Sequence, residues 1–280
     1  VRLPPIPLPI STFWMQRHVN PEMSLAQNVD KLFFGKNAVL RDEYNRLFAS
    51  VFVNPDMVKN IVQLLYTRNA GFTRKEIVEK LEITDGGRLS SNLNALISSD
   101  FIMKYVPFGY GKREEHYKLV DPFCIFYLHF IWKQKKISEK FWQQNTTSAP
   151  VSIWRGFAFE NVCFNHMEQI KRSLGISGVI TETSAWSKKE DDTEGAQIDL
   201  LICRNDNVIN MCEIKYYSGE FRVTKSYYEK ILRRQAILAE RISPKFAIHS
   251  TLITTFGLNY NEYSSAFSNV IVLDDLFDNV

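Results

Sequence analysis

The stretch from Gln197 to Tyr217 constrains this chain more than any other. Gln197-Ile198-Asp199-Leu200-Leu201 and the run from Val208 to Tyr217 are apolar, and the polar tetrapeptide Arg204-Asn205-Asp206-Asn207 between them favours a turn. They read as the antiparallel strands of a hairpin. Alternation along a strand puts Glu213 and Lys215 on one face, and pairing across the turn brings Asp199 beside them. The flanking Ile198, Leu200, Leu201, Ile202, Met211, Cys212 and Ile214 mark both strands as interior. Two carboxylates about 4 Å apart repel by roughly 4 kcal/mol at an effective dielectric of 20, and each also loses hydration. One lysine offsets part of this. An oxygen-preferring divalent cation, Mg²⁺ or Mn²⁺, offsets most of it, and two carboxylates with a backbone carbonyl are the hard ligands it takes.

An Asp, a hairpin's worth of residues and then Glu-x-Lys resembles the signature of the PD-(D/E)XK nuclease superfamily, with Asp199, Glu213 and Lys215 at the matching positions. From about Ser24 onward the chain resembles the downstream part of prokaryotic AAA-type ATPases that carry a helical segment, a winged helix and a nuclease-like domain of the DUF234 type. The stretches Ser24-Leu25-Ala26-Gln27-Asn28, Phe72-Thr73-Arg74-Lys75-Glu76-Ile77 and Asp121-Pro122-Phe123 carry that likeness. It implies an α+β multidomain chain. Residues 1–54 would be an extended arm and lid-like helices, residues 55–135 a winged helix-turn-helix, and residues 150–280 an α/β PD-(D/E)XK nuclease-like domain. It also implies DNA as a partner and an ATPase domain preceding this region.

Composition bounds the alternatives. Hydrophobic residues make up 45% and charged residues 23% of the 280, which excludes general disorder. A net charge of +3 permits nucleic-acid binding without arguing for it. Cys124, Cys163, Cys203 and Cys212 lack the paired spacing of a zinc site and sit among apolar residues, so they read as buried thiols in a reducing cytoplasm. No run reaches membrane-spanning length and no signal sequence opens the chain, so a cytoplasmic protein with no membrane partner is expected. G-x-x-x-x-G-K-[ST] does not occur; Gly35-Lys36 has neither the upstream glycine nor the following hydroxyl, which excludes P-loop ATP hydrolysis by these residues.

The prolines of Arg2-Leu3-Pro4-Pro5-Ile6-Pro7-Leu8-Pro9 predict an extended arm. Between Ser24 and Ser50, Leu25, Val29, Leu32 and Phe33, then Leu40, Tyr44, Leu47 and Phe48, have helical spacing. These helices are lid-like or a hairpin capping the next domain. Pro55 opens a helix through Leu65, Thr73 and Glu76 form a capping box for a second, and Gly86-Gly87 leads into a third whose polar face offers Arg88, Ser91, Asn94 and Ser98. Two strands, Phe101 to Val106 and Glu114 to Leu119, flank a loop with Lys112 and Arg113. Three helices and a wing are a winged helix-turn-helix, with the third helix in a major groove and the wing near phosphates. Residues 71–120, however, hold eight Lys/Arg and seven Asp/Glu, a balance of +1, so a structural or protein-binding role stands beside DNA contact.

The aromatic run Asp121 to Leu128 must be buried, and Asn145 to Pro150 marks a boundary. From Ile153 to Leu174 the spacing predicts one helix with Ile153, Gly156, Phe157, Glu160, Cys163, Phe164 and Met167 on a stripe. Glu160 interrupts it and needs a partner. The resemblance implies that this glutamate joins Asp199, Glu213 and the carbonyl of Ile214 at the metal; the alternative is a capping or hydrogen-bonding role. Strands at 178–185, 245–252 and 270–273 and a helix from Tyr227 to Arg241, with Lys230, Arg233 and Arg234 set to hold a substrate strand, complete the expected domain. The resemblance implies phosphodiester hydrolysis in which Lys215 orients a metal-bound water. Gln197 stands where many related domains have a carboxylate, which puts a second metal in doubt. A DNA-processing nuclease, a non-catalytic DNA-binding or regulatory module, and an interaction arm of a multi-subunit ATPase are the three competing functions.

Overall fold

A computed structural model describes residues 18–134, 138–187 and 197–277, with side chains for all of these except Lys112, Ala185, Trp186, Ser187 and Gln197. The proline-rich arm and the charged loop before Gln197 lie outside the described residues. The fold is mixed α/β, and the chain divides into two units. Of the described residues, those from 18 to 105 and from 115 to 155 form the first, and those from 106 to 114 and from 156 to 277 form the second.

In the first unit the helices are α1 (Leu25–Val29, continued by a π-helical turn over Asp30–Phe34), α2 (Glu43–Val51), α3 (Pro55–Tyr66), α4 (Arg74–Leu81) and α5 (Gly87–Ser98). After them come α6 (Pro122–Phe130) and α7 (Phe141–Asn145). Strands β1 (Phe72–Thr73), β2 (Ile102–Tyr105) and β3 (His116–Leu119) form an antiparallel sheet of order β1-β3-β2. The two-residue β1 is too short to show an alternating pattern and was not expected from the sequence. Its entry is shaped by Gly71 at φ +71°, where a Cβ would lie 2.0 Å from the Tyr117 carbonyl oxygen.

The capping boxes form as expected. Ser24 Oγ accepts from the Gln27 amide at 3.2 Å while the Ser24 amide donates to Gln27 Oε1 at 2.8 Å, and Thr73 and Glu76 repeat the arrangement. Buried Asp30 reaches across the sequence to cap α7, accepting from the Trp142 amide at 2.7 Å and the Gln143 amide at 3.1 Å. Helix α6 is apolar on nearly every side and therefore central. Phe126 meets Phe33 at 4.5 Å, Phe130 at 5.1 Å, Trp154 at 5.4 Å and Trp142 at 5.5 Å between ring centroids. The helices before Pro55 share one core with those after it.

The second unit carries α8 (Ala149–Asn165, which straddles the division), α9 (Met167–Ser173) and α10 (Lys225–Ala239). Its strands are β4 (Thr181–Ser187), β5 (Gln197–Arg204), β6 (Val208–Lys215), β7 (Phe221–Arg222), β8 (Ala247–Thr254), β9 (Leu258–Asn259) and β10 (Asn269–Val272). The main sheet runs β10-β8-β6-β5-β4, antiparallel from β4 to β6 and parallel from β6 to β10. Alternation divides its side chains into two cores. Leu201, Ile209, Met211 and Leu252 pack with Ile231 and Leu238 of α10; Leu200, Ile202, Cys212, Ile214 and Ile253 pack with Phe159 and Cys163 of α8 and Ile170 of α9.

The expected single helix over 153–174 is in fact two, separated at His166, whose Nδ1 lies 2.7 Å from the Val162 carbonyl. Of the expected apolar stripe, Cys163 is buried and Phe164 and Met167 pack against the same core, but Ile153 and Phe157 are exposed, and Phe159, outside that stripe, is buried instead. Among the described residues no helix is long and apolar enough to cross a membrane.

Candidate active site

The β5–β6 ladder ends at Leu200↔Cys212, while β6 continues beside β8 as far as Lys215↔Thr254. One step past the last β5–β6 pair, Asp199 stands opposite Glu213. The Ile214 amide, which would have continued that ladder, donates instead to Asp199 Oδ2 at 3.2 Å. Lys215 follows on the same face as Glu213 by alternation. Its Nζ lies 2.8 Å from Glu213 Oε1, 3.1 Å from the Ile214 carbonyl oxygen and 3.6 Å from Asp199 Oδ2. Those three oxygens belong to the ligand set expected from the sequence, which also included Glu160, and they converge on one cation, the ammonium.

Helix α10 supplies the rest of the shell. Tyr227 OH donates to Glu213 Oε1 at 2.6 Å, and Arg234 Nη1 donates to Glu213 Oε2 in a close ion pair. Glu213, at 4% side-chain exposure, is thus held on both oxygens, whereas Lys215 is 35% exposed and opens to solvent. The sequence expectation that Arg234 grips a substrate strand is corrected, because its guanidinium turns inward and is 12% exposed. Arg233 and Lys230 lie on the same helix, with Lys230 exposed.

These partners set the ionisation. Burial pushes the Asp199 carboxyl above its ordinary range, the adjacent Glu213 charge adds to that, and Lys215 only partly reverses it. Burial also pushes Glu213 upward, but Lys215 and Arg234 together pull harder and its net shift is downward. Burial lowers Lys215, and the charges of Glu213 and Asp199 outweigh that and raise it. Tyr227 rises well above the usual phenol range, through burial first and then through Glu213, so it remains a donor. Glu160 on α8 is near enough for its charge to act on both Lys215 and Cys163.

A hard divalent cation suits part of this arrangement. Two carboxylate oxygens and a carbonyl converge, and Thr254, buried opposite Lys215, has a hydroxyl with no partner among the described residues. No group of three or more His, Cys, Asp or Glu side chains among the described residues is arranged to hold a metal, so Glu160 does not complete a three-carboxylate set.

No protein-family model matches the chain, and no curated protein matches it. A solved structure titled as that of a protein of unknown function, AF1548, is similar at 14% identity with a TM-score of 0.30. The likeness covers 41% of this chain, which spans 64% of that structure's length.

Of the other residues singled out in the sequence, Arg88, Ser91 and Asn94 are exposed on one side of α5, with Arg88 Nη2 donating to Asn54 Oδ1 at 3.1 Å. Arg113 is exposed, and Lys112 lies in the same short 3₁₀ turn. That turn belongs to the second unit, where Phe108 packs against the core and the Val106 carbonyl accepts from Ser184 Oγ at 2.8 Å. Tyr227 and Thr254 escaped the sequence reading. The seven-residue spacing of Tyr227 and Arg234, two helical turns, was the available signal that they share a face.

Proposed function

We propose that this chain is the downstream part of a DNA-processing ATPase assembly. In this reading residues 55–135 form a winged helix-turn-helix, and the unit around β5 and β6 is a PD-(D/E)XK-type nuclease domain that hydrolyses phosphodiesters with Mg²⁺ or Mn²⁺. The observation that supports it is the convergence of Asp199 Oδ2, Glu213 Oε1 and the Ile214 carbonyl within 3.6 Å of the Lys215 ammonium. Asp199, Glu213 and the Ile214 carbonyl hold the ion, with Glu160 adding negative field from α8. The bound ion supplies Lewis acidity and an acidified water. Tyr227 and Arg234 fix the Glu213 carboxylate, and Lys215, on the solvent side, stabilises charge that develops on the phosphate. Arg88, Ser91 and Asn94 form the face of α5 that meets a major groove.

The second reading, a non-catalytic DNA-binding or regulatory module, is favoured by a specific feature: Lys215 and Arg234 already balance the charges of Asp199 and Glu213 without a metal. Plasmid and single-strand cleavage with Mg²⁺ or Mn²⁺ separates the two. The nuclease reading expects Asp199→Ala and Lys215→Ala each to lose about 100-fold or more in rate. Undiminished cutting in both rejects the site, and salt-sensitive DNA binding without any turnover supports the second reading.

A further inference from the structure

Three aromatic rings stand in solvent beside the carboxylate site. Tyr217 is 49% exposed, Phe256 60% and Tyr260 78%. The backbone joins them at the end of the sheet where the site lies. Lys215 and Thr254 pair at the ends of β6 and β8. Two residues on, the Tyr217 amide donates to Thr255 Oγ1 at 3.1 Å and that hydroxyl donates back to the Tyr217 carbonyl, so Phe256 is the next residue after a direct partner of Tyr217. The Phe221 ring packs against Tyr217 at 5.8 Å, and the Phe221 amide donates to the Gly257 carbonyl at 2.8 Å. Arg222 then pairs with Asn259, and Tyr260 follows. Arg222 and Lys225 are exposed at this end; the acidic groups near them include Glu220, which accepts from Asn259 Nδ2 at 3.2 Å, and exposed Glu262, which accepts from Tyr263.

We propose that Tyr217, Phe256 and Tyr260 form a nucleobase-stacking platform, so that the neighbouring site takes single-stranded nucleic acid. The inference rests on the phosphodiester reading above and names its substrate class. Exposed aromatic side chains gathered by the backbone at one end of a sheet offer stacking faces to an unpaired base, and here the exposed cations Arg222 and Lys225 stand among them. A duplex hides its base faces inside the stack and offers these rings only sugar and phosphate. An unpaired strand offers free π faces, to which aromatic side chains bind with little regard for sequence, while Arg and Lys track the backbone.

The test is fluorescence anisotropy of the full chain with one labelled oligonucleotide, single-stranded or annealed, in EDTA at fixed salt. The expected result is single-strand binding about tenfold tighter than duplex binding, with Tyr217→Ala, Phe256→Ala and Tyr260→Ala each weakening it about fivefold or more and leaving duplex binding unchanged. These are surface positions, and thermal melts of each variant verify that the fold is kept. Equal affinity for the two forms, or a preference untouched by all three variants, overturns the platform. Binding to neither form also overturns it and points to another occupant of the rings. Metal-dependent cutting that Asp199→Ala abolishes shows in those cases that the phosphodiester reading survives, and absence of such cutting shows that it has failed as well.

Discussion

Glu213 accepts from Tyr227, Lys215 and Arg234 while 4% exposed, so each donor compensates a charge that water cannot reach. Arg234→Gln removes one of two cations from a buried cluster. It should lower the unfolding free energy by about 3 kcal/mol in urea titrations, since breaking a buried pair leaves an uncompensated charge. Asp199 and Glu213 shift in opposite directions and so contribute oppositely with pH. The raised Asp199 pKa means that its contribution to stability is fully present below the ordinary carboxylate range and is lost as pH rises through the raised value. The lowered Glu213 pKa means that its contribution is present above the ordinary Glu range and is lost as pH falls through the lowered value. Asp199→Asn, which keeps an acceptor for the Ile214 amide, should therefore stabilise the protein by about 1 kcal/mol at pH 7. That gain should shrink as pH falls through the raised Asp199 pKa, and a gain independent of pH would contradict the assignment. Asp199, Glu213 and Lys215 were legible because strand alternation and one hairpin turn fix their face. The inward turn of Arg234 was not, because on an amphipathic helix with several cations only tertiary docking decides which one enters the site.

Among the elements, local chemistry decides most boundaries. Thr73 begins α4 with both halves of its capping box, and Thr73→Ala should cost about 1 kcal/mol. Gly71 is the stricter position. At φ +71°, with the Tyr117 carbonyl against the place a Cβ would occupy, Gly71→Ala should cost about 2 kcal/mol or more and loosen β1 from β3, read as faster amide exchange at Phe72 and Tyr117. Caps, turn residues and apolar spacing made α3, α4, α5 and the β5–β6 hairpin readable. The face of α8 was only partly legible because apolar residues occur all round it: Ile153 and Phe157 fit a stripe with Cys163 as well as Phe159 does, and only the sheet beneath selects Phe159. The break at His166 has no proline or glycine to announce it.

At the scale of the molecule, the helices before Pro55 and the three-helix unit after it share a single aromatic-rich core, while the sheet of the second unit separates two others. Leu93→Ala and Leu252→Ala, in different cores, should each cost about 3 kcal/mol, and their costs should add within about 0.5 kcal/mol. The strand order β10-β8-β6-β5-β4 could not be read from the sequence, since β8 and β10 join β6 through parallel pairings that no turn announces. That order nevertheless makes β6 central, and a central strand whose ladder to β5 stops at Leu200↔Cys212 leaves Glu213 and Lys215 at an opening in the sheet. The proposed nuclease function requires the oxygens gathered there to accept a divalent cation in place of the Lys215 ammonium. Calorimetric titration of the full chain with Mn²⁺ tests it most directly. The expected result is saturable binding by the native protein that is weakened about tenfold or more in Asp199→Asn and in Glu213→Gln and is unchanged in Lys225→Gln. No binding by the native protein, or undiminished binding in both carboxylate variants, would contradict it.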